Sequence, residues 1–169
     1  GTKVSDFEAL IYRGGSGIDK IAGSSRADTL EGGGGNDVLS GGAGDDQLDG
    51  EGGSDKLSGG SGDDSLSHSS GSDSLYGGSG NDTFSIGFDD EQALPYTVTV
   101  GGGTGLDTVS FSHYDLGAVV DLKNQGKNDG LAYGKTFSSI EAFSGTSEDD
   151  AFYGSDGRDI LSGGNGADI

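Results

Sequence analysis

The sequence predicts an all-β solenoid, a parallel stack of very short strands joined by glycine-rich turns. Three observations lead there: a nine-residue period running without a gap from Gly14 to Ser85, an Asp at the same place in every unit, and one large apolar residue two places after it. A conventional globular core is a poor alternative, because only 30% of the 169 residues are hydrophobic while glycine alone supplies 37.

Charge and composition then narrow the partners. With 29 acidic against 9 basic residues the formal charge is -20, and such a polyanion repels itself in any compact state unless cations neutralise it. The same charge argues against nucleic acid as a partner. There are no cysteines and two histidines, so zinc or copper sites lack their usual ligands, and hard cations that prefer oxygen remain, calcium first among them. No apolar run reaches the roughly 18 residues of a membrane span. No charged-then-apolar leader is visible either, and the chain reads as a fragment of a longer protein.

Taken in order, residues 1–13 contain DFEALIYR, a leading strand or cap, with a strand preferred to a short helix. Residues 14–85 form the first repeat block: GGSGIDKIA, GSSRADTLE, GGGGNDVLS, GGAGDDQLD, GEGGSDKLS, GGSGDDSLS, HSSGSDSLY and GGSGNDTFS. Position six is Asp19, Asp28, Asp37, Asp46, Asp55, Asp64, Asp73 and Asp82; position eight is Ile21, Leu30, Leu39, Leu48, Leu57, Leu66, Leu75 and Phe84. Glycines at positions one, two and four permit positive φ and close backbone packing, and the three residues around position eight make a minimal strand. Two units therefore close one flattened coil, with one side chain in nine pointing inward.

Residues 86–139 lose the phase and should form wider, decorated coils. FDDEQALP is expected as an outward loop with Pro95 at its exit, and YTVTV as a strand with alternating faces. One more unit, GGTGLDTVS, opens at Gly102 and puts Asp107 and Val109 in the expected places. FSHYDLGAVVDL suggests two strands separated by Gly117, and the polar NQGKNDGLAYGK a protruding turn. Residues 140–169 begin a second block that aligns without gaps to the start of the first and places Glu141, Asp150, Asp159 and Asp168 at position six, with Glu148 displacing a turn glycine.

These units resemble the repeats-in-toxin family, whose signature GGxGxDxUx, with U a large apolar residue, they follow over nearly half the chain. The resemblance implies a right-handed parallel β-roll in which each turn stacks on the turn two units later. One calcium ion would sit between stacked turns, held by position-six carboxylates and backbone carbonyls. Carried onto this chain, the pairs are Asp19 with Asp37, Asp28 with Asp46, Asp37 with Asp55, Asp46 with Asp64, Asp55 with Asp73, and Asp64 with Asp82, about six ions in the first block. Asp107 belongs to the same set, and the second block adds Glu141 with Asp159 and Asp150 with Asp168. The sites should be unequal: Arg26 replaces a turn glycine, and His68 and Ser69 replace a leading pair, so those involving Asp28 and Asp73 should be weakest. Asn36, Asp45, Asp63 and Asn81, at position five, are read as secondary ligands or as turn-bonding residues.

The resemblance also implies a setting. Such modules belong to proteins secreted by Gram-negative bacteria through type I machinery, and this one should stay unfolded at intracellular calcium and fold outside the cell. The alternative is an adhesive or carbohydrate-binding module of a secreted toxin, adhesin or polysaccharide-modifying enzyme that uses the insertion from Ile86 to Ser144, with Tyr76, Tyr114 and Tyr133 as candidate contacts for a glycan or cell-surface ligand. Catalysis is not expected, since no HExxH, GxSxG or GxxxxGK pattern occurs, and His68 and His113 read as an irregular turn residue and a strand-end residue. EF-hand spacing is absent as well. Position three carries only small residues, Ser16, Ser25, Gly34, Ala43, Gly52, Ser61, Ser70 and Ser79, which disfavours an ice-binding ladder.

Overall fold

The computed structural model describes residues 9–87, 96–111, 116–130 and 132–169. The FDDEQALP loop, most of the leading segment, and His113, Tyr114 and Asp115 lie outside them.

The first block supplies β1 (Ile11–Arg13), β2 (Lys20–Ala22), β3 (Thr29–Glu31), β4 (Val38–Ala43), β5 (Gln47–Asp49), β6 (Lys56–Ser61), β7 (Ser65–His68), β8 (Ser74–Ser79) and β9 (Thr83–Ile86). The decorated region supplies β10 (Val98–Thr104), β11 (Thr108–Phe111), β12 (Ala118–Asp121), β13 (Asp129–Gly130) and β14 (Lys135–Ser138), with a single 3-10 turn at Gln125–Lys127. The second block adds β15 (Ala142–Ser144), β16 (Ala151–Tyr153) and β17 (Ile160–Ser162).

Alternate strands fall into two facing sheets. One has eight strands in the order β1-β3-β5-β7-β9-β11-β15-β17, the other six in the order β14-β10-β8-β6-β4-β2, and a third small sheet runs β13-β12-β16. Every pairing is parallel except β12 with β13. The molecule is therefore a parallel β-roll, and no α-helix occurs among the described residues.

Register follows directly from the repeat. Leu30 pairs with Leu48, Leu48 with Leu66 and Leu66 with Phe84 on one sheet, while Ile21, Leu39, Leu57 and Leu75 stack on the other. A slip of one residue would turn every one of these side chains to solvent and every flanking polar one inward, so the hydrophobic ladder pins the stack. From Leu30 to Phe84 the position-eight residues are buried. The ladder changes character in the later coils: Phe111, Phe137 and Phe143 meet edge to face, with centroids 6.1 and 5.2 Å apart, as the coils widen and need larger side chains to fill them.

The strands of the six-stranded sheet are longer than the repeat alone suggests. In β4, β6 and β8 pairing continues past position nine into the turn, where Gly42 pairs with Gly60 and Gly60 with Gly78. The missing side chains let successive turns approach closely enough to keep the ladder going.

The decorated region is anchored at three points of the expected protruding turn. Asn128, Ala132 and Lys135 point inward and are buried, Ala132 and Lys135 at 0% and 1% exposure, while Asn124, Gly126, Lys127, Asp129 and Tyr133 around them stay exposed. The reason is that β14 pairs with β10 while the earlier β12 pairs with β16, which leaves a seam between β12 and β14. Two side-chain amides fill it. Gln125 exchanges two 2.6 Å hydrogen bonds with the main chain of Phe137, and Asn128 accepts from Asp121 N and donates to the Lys135 carbonyl. Tyr76 and Tyr133 are exposed rather than packed in the core.

Candidate metal centre

The position-six aspartates line up along the turns. Asp28, Asp37, Asp46, Asp55, Asp64, Asp73, Asp82, Asp107 and Asp150 are all at most 3% exposed, a degree of burial that carboxylates seldom show without partners. Asp19 and Glu141 are half-buried, Asp159 is intermediate, and Asp168 at the last turn is exposed.

One oxygen of each carboxylate is accounted for. The backbone N–H of one position-six residue donates to Oδ1 of the residue a coil later: Asp19 to Asp37, Asp28 to Asp46, Asp37 to Asp55, Asp46 to Asp64, Asp55 to Asp73 and Asp64 to Asp82, at 2.7 to 2.9 Å. The residues joined are the same ones that the family resemblance stacks two units apart. The chain of contacts continues where the nine-residue phase is broken, from Asp82 to Asp107 and from Asp107 to Glu141, across separations of 25 and 34 residues. Asp150 donates likewise to Asp168.

The other oxygen is where the chemistry lies. Oδ2 of Asp37, Asp46, Asp55, Asp64, Asp82 and Asp107 is buried and has no hydrogen-bond partner. A buried anionic oxygen left unpaired is costly. Each lies against the first glycine of its own turn, so that a Cβ on Gly41, Gly59 or Gly77 would overlap Oδ2 of Asp46, Asp64 or Asp82. Position one is glycine for clearance over the carboxylate. Positions two and four are glycine for a different reason, their left-handed backbone, as at Gly42 (φ 115°) and Gly44 (φ 100°).

Electrostatics reflect the crowding. Burial pushes Asp46, Asp55, Asp64 and Asp82 up to about 6 from an ordinary 3.8; the hydrogen bond from the preceding coil opposes this, and neighbouring carboxylates add to it. Asp107 is raised for the same principal reason, with Glu141 contributing.

Besides the turn of Asp19, where Gly15 N–H donates to Oδ2 at 3.2 Å, four turns satisfy their carboxylates internally. Ser24 N–H donates to Asp28 Oδ2 at 2.5 Å and its hydroxyl to Oδ1 at 3.1 Å; Thr146 and Ser155 treat Asp150 and Asp159 in the same way. In the fourth, His68 is buried at the place of a turn glycine, with Nδ1 2.5 Å from Asp73 Oδ2. The position-five residues stay exposed and bond the turns. Asn36, Asp45, Asp63 and Asn81 accept from the backbone N–H groups of Ser54, Asp63, Asn81 and Leu106 one coil on.

A hard cation fits this donor set. All the free donors are oxygen, they are anionic, and they recur in six turns, beside carbonyls of the neighbouring coil such as those of Gly50 and Ser139. No three His, Cys, Asp or Glu side chains converge on one point among the described residues. A cation there would consequently draw part of its coordination from main-chain carbonyls.

The model of the RTX calcium-binding nonapeptide repeat matches residues 13–48, 31–66, 49–84, 69–90 and 140–169. A search of curated proteins finds no match. Matched over most of its length, and with the repeat's period visible in both its strands and its carboxylates, the chain belongs to the RTX calcium-binding nonapeptide repeat family.

Proposed function

We propose that this chain is a calcium-driven folding module of a larger secreted protein, unfolded at intracellular calcium and compact outside the cell. In this reading it supports export through type I machinery from a Gram-negative bacterium and the folding of its parent on arrival. The observation that carries it is the row of buried, unpartnered Oδ2 atoms from Asp37 to Asp107. Such a row destabilises the roll until cations neutralise it, so the free energy of binding is also free energy of folding.

In the proposed sites, position-six carboxylates from adjacent coils and turn carbonyls share each ion. The set read from sequence also holds Glu141 and Asp168, together with Asp19, Asp28, Asp73, Asp150 and Asp159, whose Oδ2 atoms already meet a partner within the protein. The apolar core points the same way, since one side chain per nine residues gives little burial against the conformational entropy of a glycine-rich chain. Extracellular calcium modules bind at about 0.1 to 1 mM, well matched to a switch between the inside and the outside of a cell. The reading assigns no catalytic step to the chain.

A calcium titration followed by far-ultraviolet circular dichroism and calorimetry, with magnesium as control, tests this directly. A cooperative gain of β signal with several ions bound is expected. A spectrum unchanged by millimolar calcium would refute it.

A further inference from the structure

We infer that the turns are of two kinds, one that takes a cation and one that carries its own substitute, and that Gly15, Ser24, His68, Thr146 and Ser155 supply the substitutes. The inference rests on the calcium reading above and states which turns take part in it.

The two kinds separate on the fate of one atom. In the first, Oδ2 of the position-six aspartate is buried and unpartnered, as in Asp46 and Asp64. In the second, a donor from the same turn already meets it, at 2.5 Å from His68 to Asp73, 2.8 Å from Thr146 N to Asp150 and 2.8 Å from Ser155 N to Asp159. Protein donors there supply the positive partner that a cation would otherwise provide.

Backbone conformation at position two goes with the choice. Gly33, Gly42, Glu51, Gly60, Gly78 and Gly103 are left-handed, and the carboxylate in each of those turns keeps an unpartnered oxygen. Ser24, Thr146 and Ser155 are not left-handed, and their N–H groups point at the carboxylate. Gly15 shows that conformation rather than the hydroxyl decides: it too lacks positive φ and donates its N–H to Asp19 Oδ2 at 3.2 Å. His68 reaches the same end differently, because its ring enters from position one, where every other unit of the first block has glycine.

Two consequences follow. The second block, although in phase with the first, opens with two turns that close without calcium. The turn of Asp73 is a metal-independent step inside an otherwise metal-dependent stack.

The test counts ions on the full chain by equilibrium dialysis and elemental analysis, with circular dichroism to confirm folding. His68→Gly with Ser69→Gly restores the GGSG turn of the units on either side, so it should fold and bind one additional calcium. Asp73→Asn should lose no ion, whereas Asp64→Asn should lose at least one. An unchanged count in the double variant, or an equal loss in Asp73→Asn and Asp64→Asn, would overturn the inference. A wild-type chain that folds yet binds no calcium would instead overturn the calcium reading itself, and this proposal with it.

Discussion

Replacing Leu57 by Ala puts a number on the coupling between core and metal. Leu57 is fully buried between Leu39 and Leu75, and truncating a leucine in such a place costs about 3 kcal/mol, within a range of about 2 to 5. If the six turns with an unpartnered oxygen fold and bind as one unit, that loss is spread over six ions, about 0.5 kcal/mol each. The calcium concentration at the folding midpoint should then rise only about 2-fold, since about 1.4 kcal/mol corresponds to a factor of ten. If a single ion governed folding, the same loss would move the midpoint by more than about 100-fold. Calcium titrations of wild type and Leu57→Ala by circular dichroism, in parallel with urea unfolding at saturating calcium, measure both quantities. An unchanged midpoint despite a loss of about 3 kcal/mol would refute the linkage, and a shift near 100-fold would refute the cooperative unit.

Three further outcomes are expected. Asp46→Ala removes an unpartnered Oδ2 and also the acceptor for Asp28 N–H, so calorimetry should show fewer ions bound and weaker binding in the adjacent coils. Because Asp46, Asp55, Asp64 and Asp82 are raised to about 6, the calcium-free roll takes up protons on folding between about pH 4 and 6. Its stability is highest below that window and is lost as pH rises through 6, while calcium affinity should fall, and protons be released on binding, as pH drops from 7 to 5; a pH series of titrations checks both signs. Gln125→Ala deletes two hydrogen bonds to the main chain of Phe137 and should cost about 1 to 3 kcal/mol, seen first as faster amide exchange at Phe137.

Much of this was legible in the sequence because a strict period fixes register. Once Asp37 and Leu39 share a phase with Asp55 and Leu57, the pairing of coils, the inward ladder and the burial of the carboxylates follow with little freedom. The state of each carboxylate was less legible. Arg26 and His68 mark irregular turns, and Asp28 and Asp73 are two of the five aspartates whose Oδ2 is met from their own turns. Thr146 and Ser155 at position two behave alike in the second block, and a hydroxyl in a turn is too ordinary in a sequence to announce it. The link from Asp107 to Glu141 spans 34 residues and has no periodic trace. Nor could periodicity reveal that Asn128, Ala132 and Lys135 turn inward, since their burial depends on a seam between β12 and β14 that exists only after distant strands have met.

That seam bears on the order of assembly. In the first block each coil rests on the one made just before it, so structure can propagate from one end as the chain emerges. β12 breaks this rule, because it is synthesised before β14 yet pairs with β16, some thirty residues further on, while β14 returns to cover β10. The fast, local growth of a zipper therefore halts at β11 until a long loop closes, and contacts of that span form slowly because chain entropy is lost before they are made. Refolding should show a rapid phase from the leucine coils and a slower one from the phenylalanine coils, the seam acting as a checkpoint between a polymer that winds itself and a domain that has to find itself.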